Sequence, residues 1–299
     1  SRGGRTIMKY GFFPGCVLEG AAKEDYTATV AVAKKLGIQI EELDGWTCCG
    51  ASHVQDVDPL VTLSTNARNI ALAEARGVDL MTVCNTCTLM LREAKNELDR
   101  DPVQLARVNN ILAQAGLKYK GTSEVTHFLW VLIRDYGLNN LKAKVVKPLR
   151  GLRVAEYYGC HLLRPQEETG FEDFQIPTSL ADIITAIGAT PIDFSRKLDC
   201  CGFHAVYPAH DSVMRMTGSI NADAAREGAD CVVTPCPLCQ MQLDMFQKEA
   251  KQYIPCDKDM PIIHMSQLIG LALGISPAEL GMTKRHMTST AALNRFVGA

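Results

Sequence analysis

Ten of the twelve cysteines in this 299-residue chain fall into two copies of one pattern. The first copy has Cys16, the adjacent pair Cys48-Cys49 followed by Gly50, and Cys84-Asn85-Thr86-Cys87. The second has Cys160, the pair Cys200-Cys201 followed by Gly202, and Cys236-Pro237-Leu238-Cys239. Pair and CxxC are separated by 34 residues in both copies, and the lone cysteine and the pair by 31 and 39. Phe13-Pro14-Gly15-Cys16 is echoed by Tyr157-Tyr158-Gly159-Cys160. Such a repeat implies a duplicated unit rather than a solenoid, which needs at least about three copies.

The patterning around the cysteines predicts an α/β fold of two similar domains related by duplication, each a small parallel sheet flanked by helices. Residues 10–13, 79–83, 152–157 and 230–234 read as short apolar strands, and a cysteine follows each. Helices are expected at 21–36, 59–76, 178–187 and 212–227, several closed by glycine, with Asp58 and Pro59 as a start signal. Segments 101–115 and 123–136 read as two more helices, and 265–273 as a core-covering or partner-facing one. The expected division is residues 8–140, a connector at 141–151, and residues 152–299. The basic run Lys142, Lys144, Lys147 and Arg150 reads as solvated surface. In open parallel sheets ligands lie beyond the carboxyl ends of the strands, so the five cysteines of each copy are expected to converge there.

Composition narrows the function classes. A net charge of -2 gives no basic footprint for nucleic acid, and 47% hydrophobic against 21% charged residues excludes a disordered chain. No window reaches the roughly 18 apolar residues of a membrane span. Residues 1–7 precede a Met8-Lys9 start and carry no secretory pattern, so a cytoplasmic location is expected. In a reducing compartment, regularly spaced cysteines point to metal or redox ligation rather than disulfides.

Ligand counting narrows the chemistry. A tetrahedral zinc site closes with about four donors, one fewer than each copy offers, and adjacent cysteines can serve two metal atoms. CxxC at a helix start favours thiolate through backbone N–H groups and the helix dipole. Thiolates select iron–sulfur clusters or zinc, and five per copy tilt the choice to iron, with zinc at one site the alternative. His161, directly after Cys160, and His204 and His53, just beyond the two pairs, are candidate proton donors or cleft residues. Cys231 and Cys256 fall outside the pattern and read as packing and as an incidental thiol. Trp46 and Tyr207 read as packing groups.

The doubled motif resembles the cysteine-rich CCG domain family, with a likeness to the catalytic iron–sulfur subunit of the heterodisulfide reductases. Met8-Lys9-Tyr10-Gly11-Phe12-Phe13-Pro14-Gly15-Cys16, Thr122-Ser123-Glu124-Val125-Thr126-His127-Phe128, Tyr158-Gly159-Cys160-His161 and Thr234-Pro235-Cys236-Pro237-Leu238-Cys239 carry it. The resemblance implies two noncubane 4Fe-4S clusters, one on Cys16, Cys48, Cys49, Cys84 and Cys87, the other on Cys160, Cys200, Cys201, Cys236 and Cys239. It also implies reductive cleavage or formation of a disulfide or persulfide between the clusters, a two-electron, two-proton reaction on a small-molecule or protein-bound substrate. No GxGxxG follows a strand and no CxxCxxCxxxCP run is present, so electrons are expected to come through a ferredoxin-like iron–sulfur subunit from a flavin subunit. Gly202-Phe203-His204-Ala205-Val206-Tyr207 departs from the glycine-rich stretch of the methanogen enzymes, which narrows that loop. Two other readings stand beside this one: an electron-transfer module of another CCG assembly, such as those in lactate, glycerol-phosphate or succinate oxidation, and a zinc scaffold.

Overall fold

The computed structural model describes residues 8–296 apart from 52, 284–285, 291–292 and 294–295. Residues 1–7, read above as an extension, lie outside the described residues. Two four-stranded sheets organise the chain. The first contains β1 (Lys9–Phe12), β2 (Gln39–Glu42), β3 (Asp79–Thr82) and β4 (Val125–His127), in the order β2-β1-β3-β4. The second contains β5 (Arg153–Glu156), β6 (Thr190–Ile192), β7 (Cys231–Thr234) and β8 (Ile262–His264), in the order β6-β5-β7-β8. All six pairings are parallel, and the two sheets have the same strand order, so the cysteine repeat is a repeat of architecture.

Buried strands and capped helices follow from local chemistry. β7 is buried along its whole length, as a strand covered by helices on both faces must be. Asp58 opens the helix Pro59–Ala75 by accepting the Leu60 and Val61 amides, both at 3.1 Å, and Asp101 opens Pro102–Leu112 in the same way. The expected helices at 21–36, 178–187, 212–227 and 265–273 are Lys23–Leu36, Ser179–Ala186, His210–Arg226 and Met265–Ala272.

Two expectations need correction. Segment 123–136 is not one helix: its first residues form β4, paired with β3 in the register Leu80↔Val125, before the chain turns helical at Phe128. A three-residue strand is too short for its periodicity to be seen, and β8 escaped notice for the same reason. The stretch expected to be connector begins inside a helix, Leu138–Lys144, whose Leu141 is fully buried.

That helix shows how the halves join. Leu138–Lys144, which follows β4, packs on Ser179–Ala186 of the second half, while Met265–Ala272, which follows β8, packs on Lys23–Leu36 of the first. Thr29 Oγ1 and Ser266 Oγ hydrogen-bond at 2.9 Å across the second contact. Each half covers the other, and two large apolar clusters contain residues from both. Among the described residues no helix is long and apolar enough to cross a membrane.

Candidate functional site

In each sheet the order reverses between the first and third strands, and every motif cysteine lies beyond the carboxyl ends there. The lone cysteine follows β1 or β5 and the pair follows β2 or β6. The CxxC follows β3 or β7, its first cysteine capping the helix Asn85–Arg100 or Pro237–Met245. The Cys84 and Cys236 amides donate to Thr82 Oγ1 and Thr234 Oγ1 at 3.2 and 3.3 Å, the same turn built twice.

The ten thiols form one series of electrostatically linked neighbours. In the first half it runs Cys16, Cys48, Cys49, Cys87, Cys84; in the second, Cys160, Cys200, Cys201, Cys239, Cys236. Sγ–Sγ separations are 3.6 Å for Cys16 and Cys48, 3.5 Å for Cys49 and Cys87, and 3.9 Å for Cys160 and Cys200. The two runs approach each other at Cys84 and Cys236, whose thiols are electrostatically linked between the halves.

Backbone shape makes room for the sulfurs. Gly15 and Gly159 have φ of +76° and +71°, and a Cβ on either would stand 3.0 Å from Cys87 Sγ or Cys239 Sγ. The electrostatics also repeat. Cys48 and Cys200 are held well below the ordinary thiol range, first by their contacts with Cys16 and Cys160, then with Cys49 and Cys201, with help from the Gly50 and Gly202 amides. Cys16 and Cys160 are pushed up by those same contacts and by burial. Ten adjoining thiols cannot all ionise without cations among them, so the donor set fits groups that supply positive charge and take thiolate ligands. Among the described residues no three donors converge on one single-ion position; the sulfurs are strung out in series.

The three candidate histidines come together beside the second quintet. His161 and His204 rings lie 5.6 Å apart, and His53 and His204 rings 5.4 Å. Thr86 Oγ1, inside the first CxxC, lies 2.9 Å from His161 Nδ1 and 3.4 Å from His204 Nε2. Burial lowers the His204 pKa, and the neighbouring His161 adds to the effect. A cavity of about 200 Å³ beside the first quintet is lined by Cys16, Cys49, Cys84, Cys87, Thr86 and Phe203; its counterpart at the second quintet holds only about 10 Å³, with Phe203 and His204 in its wall.

Of the remaining predicted residues, Cys231 is fully buried in β7 and Cys256 donates to the Lys258 carbonyl at 3.4 Å; neither joins the series. Trp46 packs edge-on against Phe13, but Tyr207 is 97% exposed and packs on nothing, because the turn that buries Val206 directs the next side chain outward. Sequence reasoning missed Asn85 and Thr86, the variable positions of the first CxxC. Asn85 Nδ2 donates to the Tyr158 carbonyl of the other half at 2.8 Å, and Pro237-Leu238 at the matching place in the second copy gave no hint of such roles. It also missed His127 and His264, whose shared place at the ends of β4 and β8 was visible only once the fourth strands were known.

Comparison with known proteins follows the same outline. The cysteine-rich domain family CCG matches residues 10–92 and 154–244, once in each half. The 8-methylmenaquinol:fumarate reductase membrane anchor subunit of Wolinella succinogenes is 51% identical over 282 residues, 94% of this chain and 98% of that protein. A subunit of the ferredoxin/F(420)H(2)-dependent CoB-CoM heterodisulfide reductase of Methanosarcina acetivorans is 36% identical, over 92% of this chain and 93% of that one. A solved structure, a hypothetical protein from Helicobacter pylori, has the same fold, with a TM-score of 0.76 at 16% identity; it covers 95% of this chain, which spans about half (53%) of that one.

Proposed function

This chain belongs to the cysteine-rich CCG domain family, and from that premise we propose that it carries electrons between partner subunits of a quinol-linked fumarate reductase-type complex, through two noncubane 4Fe-4S clusters held in series. The coarser statement, an iron–sulfur oxidoreductase subunit that works with partners, follows from the family and its relatives. Cys16, Cys48, Cys49, Cys84 and Cys87 would hold one cluster, and Cys160, Cys200, Cys201, Cys236 and Cys239 the other. Bound there, such clusters supply one-electron exchange at each site. The chain's own part is to space the sites, exclude water and keep the inner cysteines in contact.

The observation that carries this reading is the approach of Cys84 and Cys236, whose thiols are electrostatically linked between the two quintets. The 51% identity over nearly the full length of a fumarate reductase subunit names the kind of complex. In this reading a ferredoxin-like iron–sulfur subunit and a flavin subunit are the electron partners, and the chain meets a membrane through contacts at its surface rather than by a spanning helix.

Disulfide or persulfide cleavage between the clusters is the second reading, favoured by the Thr86, His161 and His204 group at the wall of the cavity. One experiment separates the two. Anaerobically purified complex is analysed for iron, sulfide and zinc, then followed by electron paramagnetic resonance with menaquinol and fumarate, or with the coenzyme M–coenzyme B disulfide. About eight irons per chain, with signals that respond to menaquinol and fumarate alone, support the relay. A signal that appears only with the disulfide supports cleavage, and zinc in either half overturns the two-cluster assignment.

A further inference from the structure

His127 and His264 occupy matching places at the ends of β4 and β8, in register with Thr82 and Thr234, and both are fully buried. His264 begins the helix Met265–Ala272, and His127 begins the helical stretch from Phe128 that leads to Leu138–Lys144. His127 Nδ1 accepts the Leu129 amide at 3.0 Å and His264 Nδ1 accepts the Ser266 amide at 3.3 Å. A ring whose Nδ1 accepts must carry its proton on Nε2 when neutral.

Both Nε2 groups are buried without a close partner. Each faces the same two acceptors, the carbonyls of Val83 and Pro235. Val83 precedes Cys84 and Pro235 precedes Cys236, the two inner cysteines that are electrostatically linked between the halves. A buried N–H without a full hydrogen bond is costly, so two of them turned toward one pair of carbonyls call for an explanation.

We propose that His127 and His264 are paired positioning residues that hold the Val83-Cys84 and Pro235-Cys236 peptides at a fixed separation and so set the coupling between the two clusters. The inference rests on the two-cluster reading and adds to it the residues that fix the spacing. Each histidine faces peptides of both halves, so a change at one must reach both sites. The histidines act through the cysteines, and neither is a ligand.

Isosteric variants separate this role from helix capping. Asparagine at either position keeps an acceptor near Nδ1 and loses the donor; glutamine keeps a donor near Nε2. Anaerobically loaded holoprotein is titrated electrochemically while its paramagnetic signals are recorded. His127→Asn and His264→Asn are each expected to shift the midpoints of both clusters and to change the magnetic splitting between them, while the glutamine variants keep the wild-type pattern. Should the asparagine variants fail to retain iron, retention with wild-type splitting in the glutamine variants carries the same conclusion. A change confined to the cluster of the mutated half, equal behaviour of asparagine and glutamine, or glutamine variants that lose iron would overturn it. Wild-type protein with no coupled pair of clusters would overturn both this inference and the reading beneath it.

Discussion

Thr86 Oγ1 stands 2.9 Å from Nδ1 of His161, a hydrogen bond that runs from the CxxC of one half to the residue after the first cysteine of the other. His161 thus answers to a residue the repeat does not preserve, since Leu238 stands at the matching position of the second copy.

The contact yields a direct test of relay against sulfur chemistry. General acid catalysis contributes about 100-fold or more when a reaction needs a proton. Thr86→Val and His161→Gln are expected to keep their iron and to pass electrons to the fumarate-type acceptor at nearly the wild-type rate. A loss of about tenfold or more, with iron intact, would instead place proton delivery in the rate and favour disulfide cleavage.

Gly15→Ala and Gly159→Ala should each damage one quintet. The added methyl meets Cys87 Sγ or Cys239 Sγ, and the left-handed backbone costs a side chain about 1–2 kcal/mol besides. Each variant should lose about four of about eight irons per chain. Gly20→Ala, where a Cβ meets nothing within 4 Å, is the control and should lose none. Iron and sulfide analysis after anaerobic reconstitution decides the matter.

The cysteines outside the series should behave as packing groups. Cys231→Ser places a hydroxyl among apolar side chains and should lower stability by about 1–3 kcal/mol while leaving iron content unchanged. Cys256→Ser should change neither. Cys49→Ser should reduce iron. Thermal melts beside metal analysis test all three.

The buried histidines give a pH dependence with a definite sign. Burial lowers His127 to about 3 and His264 to about 4, with mutual repulsion adding to the shift in His127. The unfolded chain takes up these protons below about pH 6.5, whereas the folded chain does not, so stability must fall as pH drops from there toward 4. The slope is about 1.4 kcal/mol per pH unit for each ring. Urea unfolding of the holoprotein between pH 7.5 and 5.5 should show this fall, and His127→Gln should make it shallower.

Asp25 acts in the opposite sense. Its carboxyl is fully buried, both oxygens lack a hydrogen-bond partner among the described residues, and burial followed by the nearby Glu24 raises its pKa. A raised carboxyl favours the fold at low pH, and that contribution is lost as pH rises through the folded value. Asp25→Asn should therefore be more resistant to urea than wild type at pH 7.5, with the difference shrinking toward pH 4.

The cysteine repeat announced both the architecture and the ten sulfurs because it encodes topology: each cysteine follows a strand, and parallel strands bring such positions to one edge. What stayed hidden was short or relational. β4 and β8 have three residues each, below the length at which alternation can be read. Asn85 finds its partner in the opposite copy, and His127 and His264 each face one carbonyl of either copy; a pattern read within one repeat carries no record of contacts between repeats. Tyr207 reversed its expectation because an aromatic ring does not reveal which side of a turn it will face.

The exchange of closing helices, Met265–Ala272 onto the first half and Leu138–Lys144 onto the second, has a consequence for how such a molecule can be divided. Severed between its repeats, neither fragment would keep the lid that seals its oily flank, and a solitary copy would have to pair with itself to stay soluble. Fusion makes that embrace permanent and frees the two mouths to diverge, as the roomy chamber at one and the cramped, imidazole-walled one at the other have done.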